Sequence, residues 1–313
     1  MERFIMQDLI AWKNREDRKP LILLGARQVG KTYILKEFGQ REFENVAYIN
    51  CDNNAMVKDL FATDYNIERI LLTIGAITGV NIQAGKTLII MDEIQELHRG
   101  LASLKYFCEE AREYHVAVAG SLLGLTLHQG ESYPVGKVNT LEMFPMTYEE
   151  FLLARGFKQR VDLLQSGMWN VVNSLRTLYI QHLREYYLVG GMPEAVKKFI
   201  DTNDANAVRE IQKEILHAYE KDISKHAPNE QVVRINQVWN SIPSQLAKEN
   251  KKFIYGVVKQ GARAKDYELA IQWLIDAGLI YKINRVKTIG MPLKIYEDIS
   301  AFKLYLLDCG LLG

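Results

Sequence analysis

The segment that most constrains this chain is Gly25-Ala-Arg-Gln-Val-Gly-Lys-Thr32, a match to G-x-x-x-x-G-K-[ST]. It stands between the apolar run Leu21-Ile-Leu-Leu24 and an expected helix opening near Thr32. A strand, a glycine-bearing loop and a helix in that order let backbone N–H groups turn inward around phosphate oxygens. All eight residues, Gly25, Ala26, Arg27, Gln28, Val29, Gly30, Lys31 and Thr32, are therefore expected to line a phosphate chain. Lys31 would reach the β- and γ-phosphate oxygens, and the Thr32 hydroxyl would ligate Mg²⁺.

A phosphate loop needs an acidic strand beside it, and Leu88-Ile-Ile-Met-Asp-Glu93 supplies an apolar run that ends in two carboxylates. Asp92 is expected to help hold Mg²⁺, and Glu93 to orient and deprotonate an attacking water. The run Val116-Ala-Val-Ala119 leads into Gly120-Ser121, so Ser121 would stand between the two motif strands, beside the γ-phosphate. As an alternative, Ser121 simply caps the Leu122 to Leu127 turn. Arg27, Arg99 and Lys137 are further basic candidates for a phosphate or for a neighbouring subunit's nucleotide. The base-reading motif of Ras-type GTPases is missing, because Asn250-Lys251-Lys252-Phe253 lacks the required Asp; the Leu-Ser-Gly-Gly signature of transporter ATPases is absent too. ATP is thus the expected nucleotide, with hydrolysis to ADP and phosphate the expected reaction. A phosphotransferase to a small molecule fits poorly, since the Asp92-Glu93 pair suits water as acceptor.

Composition places few further limits. The 313 residues are 48% hydrophobic and 25% charged, with Lys+Arg 39 against Asp+Glu 38, which excludes disordered and strongly basic classes. No apolar stretch approaches the ~20 residues of a membrane-spanning helix. The first ten residues reach Glu2 at once and lack a signal-like core, so a cytoplasmic protein is expected. Cys51, Cys108 and Cys309 are widely spaced and suggest neither disulfides nor zinc.

Along the chain, Phe4, Ile5, Leu9 and Trp12 predict a short amphipathic helix. Continuous apolar runs at 21–24, 46–49, 88–91 and 116–119 alternate with helical stretches at 33–38, 67–77 and 101–114. That pattern predicts an α/β domain over residues 1–145, a parallel sheet with helices on both faces. Past the turn-rich Gly130 to Asn139 the strand signal fades. Residues 146–228 read as a helical lid subdomain, broken at Gly156, Gly167 and the Gly190-Gly-Met-Pro193 turn, which reads equally as a hinge for the lid or as a plain helix-to-helix turn. Residues 229–313 read as a winged-helix-like domain: helices at 231–249 and 265–277, then β-prone segments at 279–286 and 293–299. The four tryptophans are expected to pack rather than stack on bases.

Several stretches together resemble the prokaryotic AAA+ superfamily ATPases in which an AAA domain precedes a C-terminal domain of unknown function. They are Gly25 to Thr32, Leu88 to Gln95, Ala119 to Leu123, Leu141 to Phe151, Tyr187 to Glu194, Tyr219 to Ile223 and Leu304 to Leu311. The resemblance implies an ATP-binding core, a helical lid, a winged helix and usually a further nuclease-like domain beyond the 306–311 stretch. It also implies an arginine where this chain has Lys137.

Residues 231–313 hold 12 Lys+Arg against 7 Asp+Glu, leaving 27 against 31 before them. Lys248, Lys251, Lys252, Lys259, Arg263 and Lys265 could meet a phosphate backbone, so duplex DNA through residues 229–313 is one expected partner. The competing expectation is an ATP-stabilised signalling or assembly scaffold that binds a protein with little turnover. A homo-oligomer is compatible with both.

Overall fold

A computed structural model describes residues 1–52, 54–121, 134–250 and 252–313. The Leu122 to Leu127 turn, the start of the turn-rich segment and Lys251 lie outside the described residues. Two compact units emerge, Met1–Phe144 and Pro145–Gly313. Among the described residues, no helix is long and apolar enough to cross a membrane.

The first unit begins with α1 (Ile5–Lys13), which buries Met6, Leu9 and Trp12. Phe4 and Ile5, expected on that face, are only partly covered, because the buried stripe is set one position around the helix. Next come β1 (Leu21–Leu24), α2 (Lys31–Glu42), β2 (Asn45–Asn50), α3 (Ile67–Thr78), β3 (Thr87–Asp92), α4 (Gly100–Glu110), β4 (His115–Ala119) and β5 (Asn139–Glu142). The five strands pair in parallel in the order β2-β3-β4-β1-β5.

β3 and β4 are buried along their whole length, which is why they read as unbroken apolar runs rather than alternating ones. Each fully buried Leu or Ile there contributes about 1.5–3 kcal/mol. Helices pack on the sheet through Ile34, Leu35 and Phe38 of α2, Ile70 and Ile74 of α3, and Leu101, Leu104 and Phe107 of α4. β5 was not expected. Its four residues alternate half-buried and exposed at the sheet edge, and Leu141 is their sole apolar side chain.

Register decides what the sheet can do. Leu23 lies opposite Ala119, Ala119 opposite Asp92, and Asp92 opposite Asn50. The carboxyl ends of four strands therefore form one row, and β4 sits between the strand that feeds the glycine loop and the strand that ends in acid.

The second unit is helical up to a terminal hairpin. Its helices are α5 (Tyr148–Ala154), α6 (Lys158–Ser166), α7 (Trp169–Ser174), α8 (Arg176–Val189), α9 (Pro193–Thr202), α10 (Ala205–His226), α11 (Asn229–Leu246), α12 (Tyr255–Val258) and α13 (Ala264–Asp276). Thr147 and Glu150 form a reciprocal capping box that starts α5. On α13, Tyr267, Ala270, Ile271 and Leu274 face inward as their spacing predicts, joined by Trp273. β6 (Ile280–Val286) then pairs antiparallel with β7 (Glu297–Leu306). The second strand begins at Glu297 rather than 293, because Leu293–Tyr296 closes into a 3₁₀ turn. Trp12, Trp239 and Trp273 pack as expected, whereas Trp169 is exposed, on a six-residue helix that buries nothing.

The Gly190-Gly191 turn is gripped by a carboxylate. Asp308 accepts from the Gly191 N–H at 2.6 Å and from the Gly310 N–H at 2.9 Å. Gly190 has φ +75°, and a side chain there would enter the Asp308 carboxylate. Burial pushes the Asp308 carboxyl up to about 6 against the pull of both N–H groups. In the unfolded chain it titrates near its ordinary value, so between about pH 4 and 6 the folded state holds this proton more tightly. Stability conferred by the proton is present at low pH and lost as pH rises through that window. Relative to Asp308→Asn, the wild type should lose about 1–3 kcal/mol of stability between pH 4 and 7. Denaturant unfolding at the two pH values checks this, and parallel profiles would contradict it.

Candidate nucleotide site

The glycine loop leaves β1 at Gly25, whose φ is +141°; a Cβ there would run into the Met143 carbonyl. Gln28 (φ 66°) and Gly30 (φ 98°) also take positive φ, so the backbone winds back on itself before α2 begins. Such sign changes make a concave nest of N–H groups. The N-cap residue, Gly30, has no side chain to cap the first turn of α2 and no acid stands in that turn, which leaves its N–H groups and the positive end of its dipole facing the loop as an anion site would need.

Lys31 opens α2 and is buried, with Nζ donating to the Gly25 and Ala26 carbonyls at 2.8 Å each. Burial lowers its pKa to about 8, although the charges of Glu93 and Asp92 favour the cation. The next residue ties the loop to the acidic strand: Thr32 Oγ1 donates to Asp92 Oδ2 at 2.6 Å. Asp92 also accepts from the Tyr48 hydroxyl (3.3 Å, Oδ2) and the Glu93 N–H (3.2 Å, Oδ1). Burial, followed by the charge of Asp92, pushes the Tyr48 phenol up to about 12, so it stays a donor. A hydroxyl and a carboxylate oxygen held this close are hard oxygen donors of the type Mg²⁺ prefers.

Glu93 occupies the left-handed region (φ 53°, ψ 45°), which costs a non-glycine residue about 1–2 kcal/mol. There its carboxylate meets the end of β4. Ser121 Oγ donates to Oε1 at 2.6 Å and the Ser121 N–H to Oε2 at 3.0 Å; Gln95 Nε2 also donates to Oε2 at 2.6 Å. Burial alone would raise the Glu93 pKa, but Ser121, Gln95 and the charge of Lys31 together hold it below the usual carboxylate value. Glu93 is thus an ionised group with both oxygens occupied.

The structure accordingly brings Lys31, Thr32, Asp92, Glu93 and Ser121 together. Arg27 is exposed on the loop. Arg99 and Lys137 are engaged elsewhere. Arg99 donates to the Tyr65 hydroxyl (3.0 Å) and the Ala62 carbonyl, and stacks 4.3 Å over the Tyr65 ring. Lys137 pairs with Glu109 at 2.8 Å.

Three contributors were missed. Gln95 lies in the stretch that carries the resemblance, and its two-residue offset from Glu93 was the available signal. Tyr48 gives no local sign, because only the β2–β3 register places it beside Asp92. Buried Arg3 donates to the Val29 carbonyl of the loop at 3.0 Å and to the Phe144 carbonyl at 2.6 Å, a long-range link no local pattern announces.

Comparison with known proteins identifies two families along the chain. Residues 17–152 match the family described as AAA domain, and residues 180–313 match a domain of unknown function, DUF8612. No curated protein matches the chain. Among solved structures, the Walker-type ATPase PABY2304 of Pyrococcus abyssi superposes with a TM-score of 0.60 at 16% identity, over 99% of this chain and 94% of that one. The RuvB Holliday junction branch migration motor of Thermotoga maritima gives 0.40 at 15% identity, over 90% and 89%. The Aeropyrum pernix ORC1 protein in complex with DNA gives 0.33 at 14%, over 96% and 87%. The first shows a shared fold over nearly the whole of both chains; the other two superpose too loosely to describe this chain.

Because Lys31 loses its proton near pH 8, affinity for a nucleoside triphosphate should fall as pH rises through that value. Equilibrium binding from pH 7 to 9 checks this, and Lys31→Arg, which does not titrate there, should lack the fall.

Proposed function

We propose that this chain, an AAA domain followed by the DUF8612 domain, binds ATP with Mg²⁺ and hydrolyses it to ADP and phosphate. The observation that carries the reading is the pair of contacts at neighbouring strand ends, Thr32 to Asp92 and Glu93 to Ser121. The N–H groups of Gly25 to Thr32 would cradle the phosphates, and Lys31 would exchange its loop carbonyls for β- and γ-phosphate oxygens. Thr32 and Asp92 would hold Mg²⁺, which neutralises charge on the phosphates when bound. Water attacks the γ-phosphorus, its proton passes to Glu93, and the bond to the bridging oxygen breaks with ADP as leaving group. The three donors from Ser121 and Gln95 stabilise the ionised carboxylate and lower its basicity, so these two residues set how readily Glu93 accepts that proton.

In this reading residues 146–228 act as a lid and residues 229–313 as a winged-helix effector, with α11, α13 and the hairpin as its helices and wing. Nucleotide state would be coupled to that effector. The cationic residues Lys248, Lys252, Lys259, Arg263 and Lys265 support duplex DNA as partner. A second reading, an ATP-stabilised scaffold for a protein, draws support from α13: its exposed Leu269, together with Glu268 and Asp276, dilutes the charge a DNA-reading helix would need.

Equilibrium binding and phosphate release test the proposal together. Lys31→Ala should weaken ATP binding at least about tenfold, while Glu93→Gln should keep ATP and lose about 100-fold or more in turnover. Unchanged affinity in Lys31→Ala would overturn the site. Stimulation of release by duplex DNA would favour the first partner class, and slow, unstimulated release the second.

A further inference from the structure

The most exposed apolar surface of the second unit is the β6–β7 hairpin. Ile289 and Met291 at its tip are 94% and 88% exposed, and Ile283, Ile295 and Ile299 stand out beside them. Residues 280–306 carry five Lys or Arg against two acids, with Lys287 and Lys294 at the tip. The tip is ordered by its own contacts: the Lys287 N–H donates to the Tyr296 carbonyl at 2.9 Å, and Gly290 lies against the Tyr296 ring. Monomeric proteins seldom leave so many large apolar side chains together in water.

The first unit carries a complementary surface. A groove of about 830 Å³ runs between α3, the Gly79–Ile82 segment and the end of α4. Ile67, Leu71, Leu72 and Val80 line it, with Leu72 69% exposed. Glu68, Glu110 and Glu113 rim it, and among the described residues its lining holds no lysine or arginine. An acidic groove that holds Ile67, Leu71, Leu72 and Val80 in its lining matches a basic hairpin with exposed isoleucines and methionine in charge, and offers those side chains apolar contacts.

We propose that the hairpin tip of one copy of this chain docks into the α3 groove of a second copy. The contact joins two different surfaces, so it is heterologous: the copy that gives its hairpin keeps a free groove, the copy that gives its groove keeps a free hairpin, and each can take on a further copy. A nucleic acid is the poorer occupant of the tip, because its phosphates gain nothing from isoleucine and methionine side chains. The proposal stands apart from the nucleotide chemistry and does not depend on it.

Light scattering on the full chain across a concentration series tests it. The wild type should grow beyond a monomer. Met291→Asp and Leu72→Asp, each on an exposed side chain, should each remain monomeric, with self-association weakened at least about tenfold. Mixing the two variants should restore a dimer and nothing larger, since one retains its groove and the other its hairpin. Should Leu72→Asp fail to fold, Glu68→Lys combined with Glu113→Lys on the exposed rim gives the same readout. A wild type that stays monomeric throughout, variants that assemble like the wild type, or a mixture that stays monomeric would each overturn the proposal. So would a Met291→Asp variant that loses affinity for duplex DNA while assembling normally.

Discussion

The candidate site is tied together by one hydrogen bond, from the Thr32 hydroxyl to the Asp92 carboxylate. It joins residues sixty positions apart, and it exists because parallel pairing in the order β3-β4-β1 brings the glycine loop and the acidic strand to the same edge. A one-residue slip of β3 would turn Asp92 to the opposite face of the sheet. The buried faces of β3 and β4 prevent that slip, since every alternative register would misplace several fully buried side chains. Packing energy in the core thus fixes the position of a polar contact at the rim.

Two charges sit in partial burial around that bond, and each is kept by its neighbours. Lys31 is desolvated and gives up its proton more easily, yet the carboxylates of Asp92 and Glu93 favour its charged form. Glu93 is desolvated as well, and the donors from Ser121 and Gln95 outweigh the penalty. The backbone strain at Glu93 makes sense in that light: the left-handed turn sends its side chain toward the end of β4 instead of along the sheet. A carboxylate held in this way is oriented in advance, at the cost of basicity.

How much of this was legible in the sequence follows from how local each signal is. β1 was read to the residue, and β2, β3 and β4 to within one residue at each end, because strands buried on both faces leave contiguous apolar runs. The glycine loop was legible because a backbone that takes positive φ at Gly25 and Gly30 leaves glycines at fixed spacing. β5 escaped because an edge strand of four half-covered residues carries almost no hydrophobic pattern. Arg3 and Tyr48 escaped because their partners are distant in sequence and set by tertiary register. In the second unit, the inward face of α13 followed from its period. The start of β7 was misplaced because Leu293–Tyr296 is as apolar as a strand but closes into a turn. At Gly190-Gly191 the sequence allows a hinge and a plain helix-to-helix turn equally, and only the fold reveals the Asp308 carboxylate packed against it.

The claim that the Thr32–Asp92 pair holds the metal for ATP hydrolysis is tested most directly by phosphate release from ATP against free Mg²⁺, for the wild type and Thr32→Ala. The account predicts release that rises from a negligible level and saturates with Mg²⁺ in the wild type, and is lost or shifted to much higher Mg²⁺ in the variant. Release that ignores Mg²⁺, or that is the same in both proteins, would contradict it.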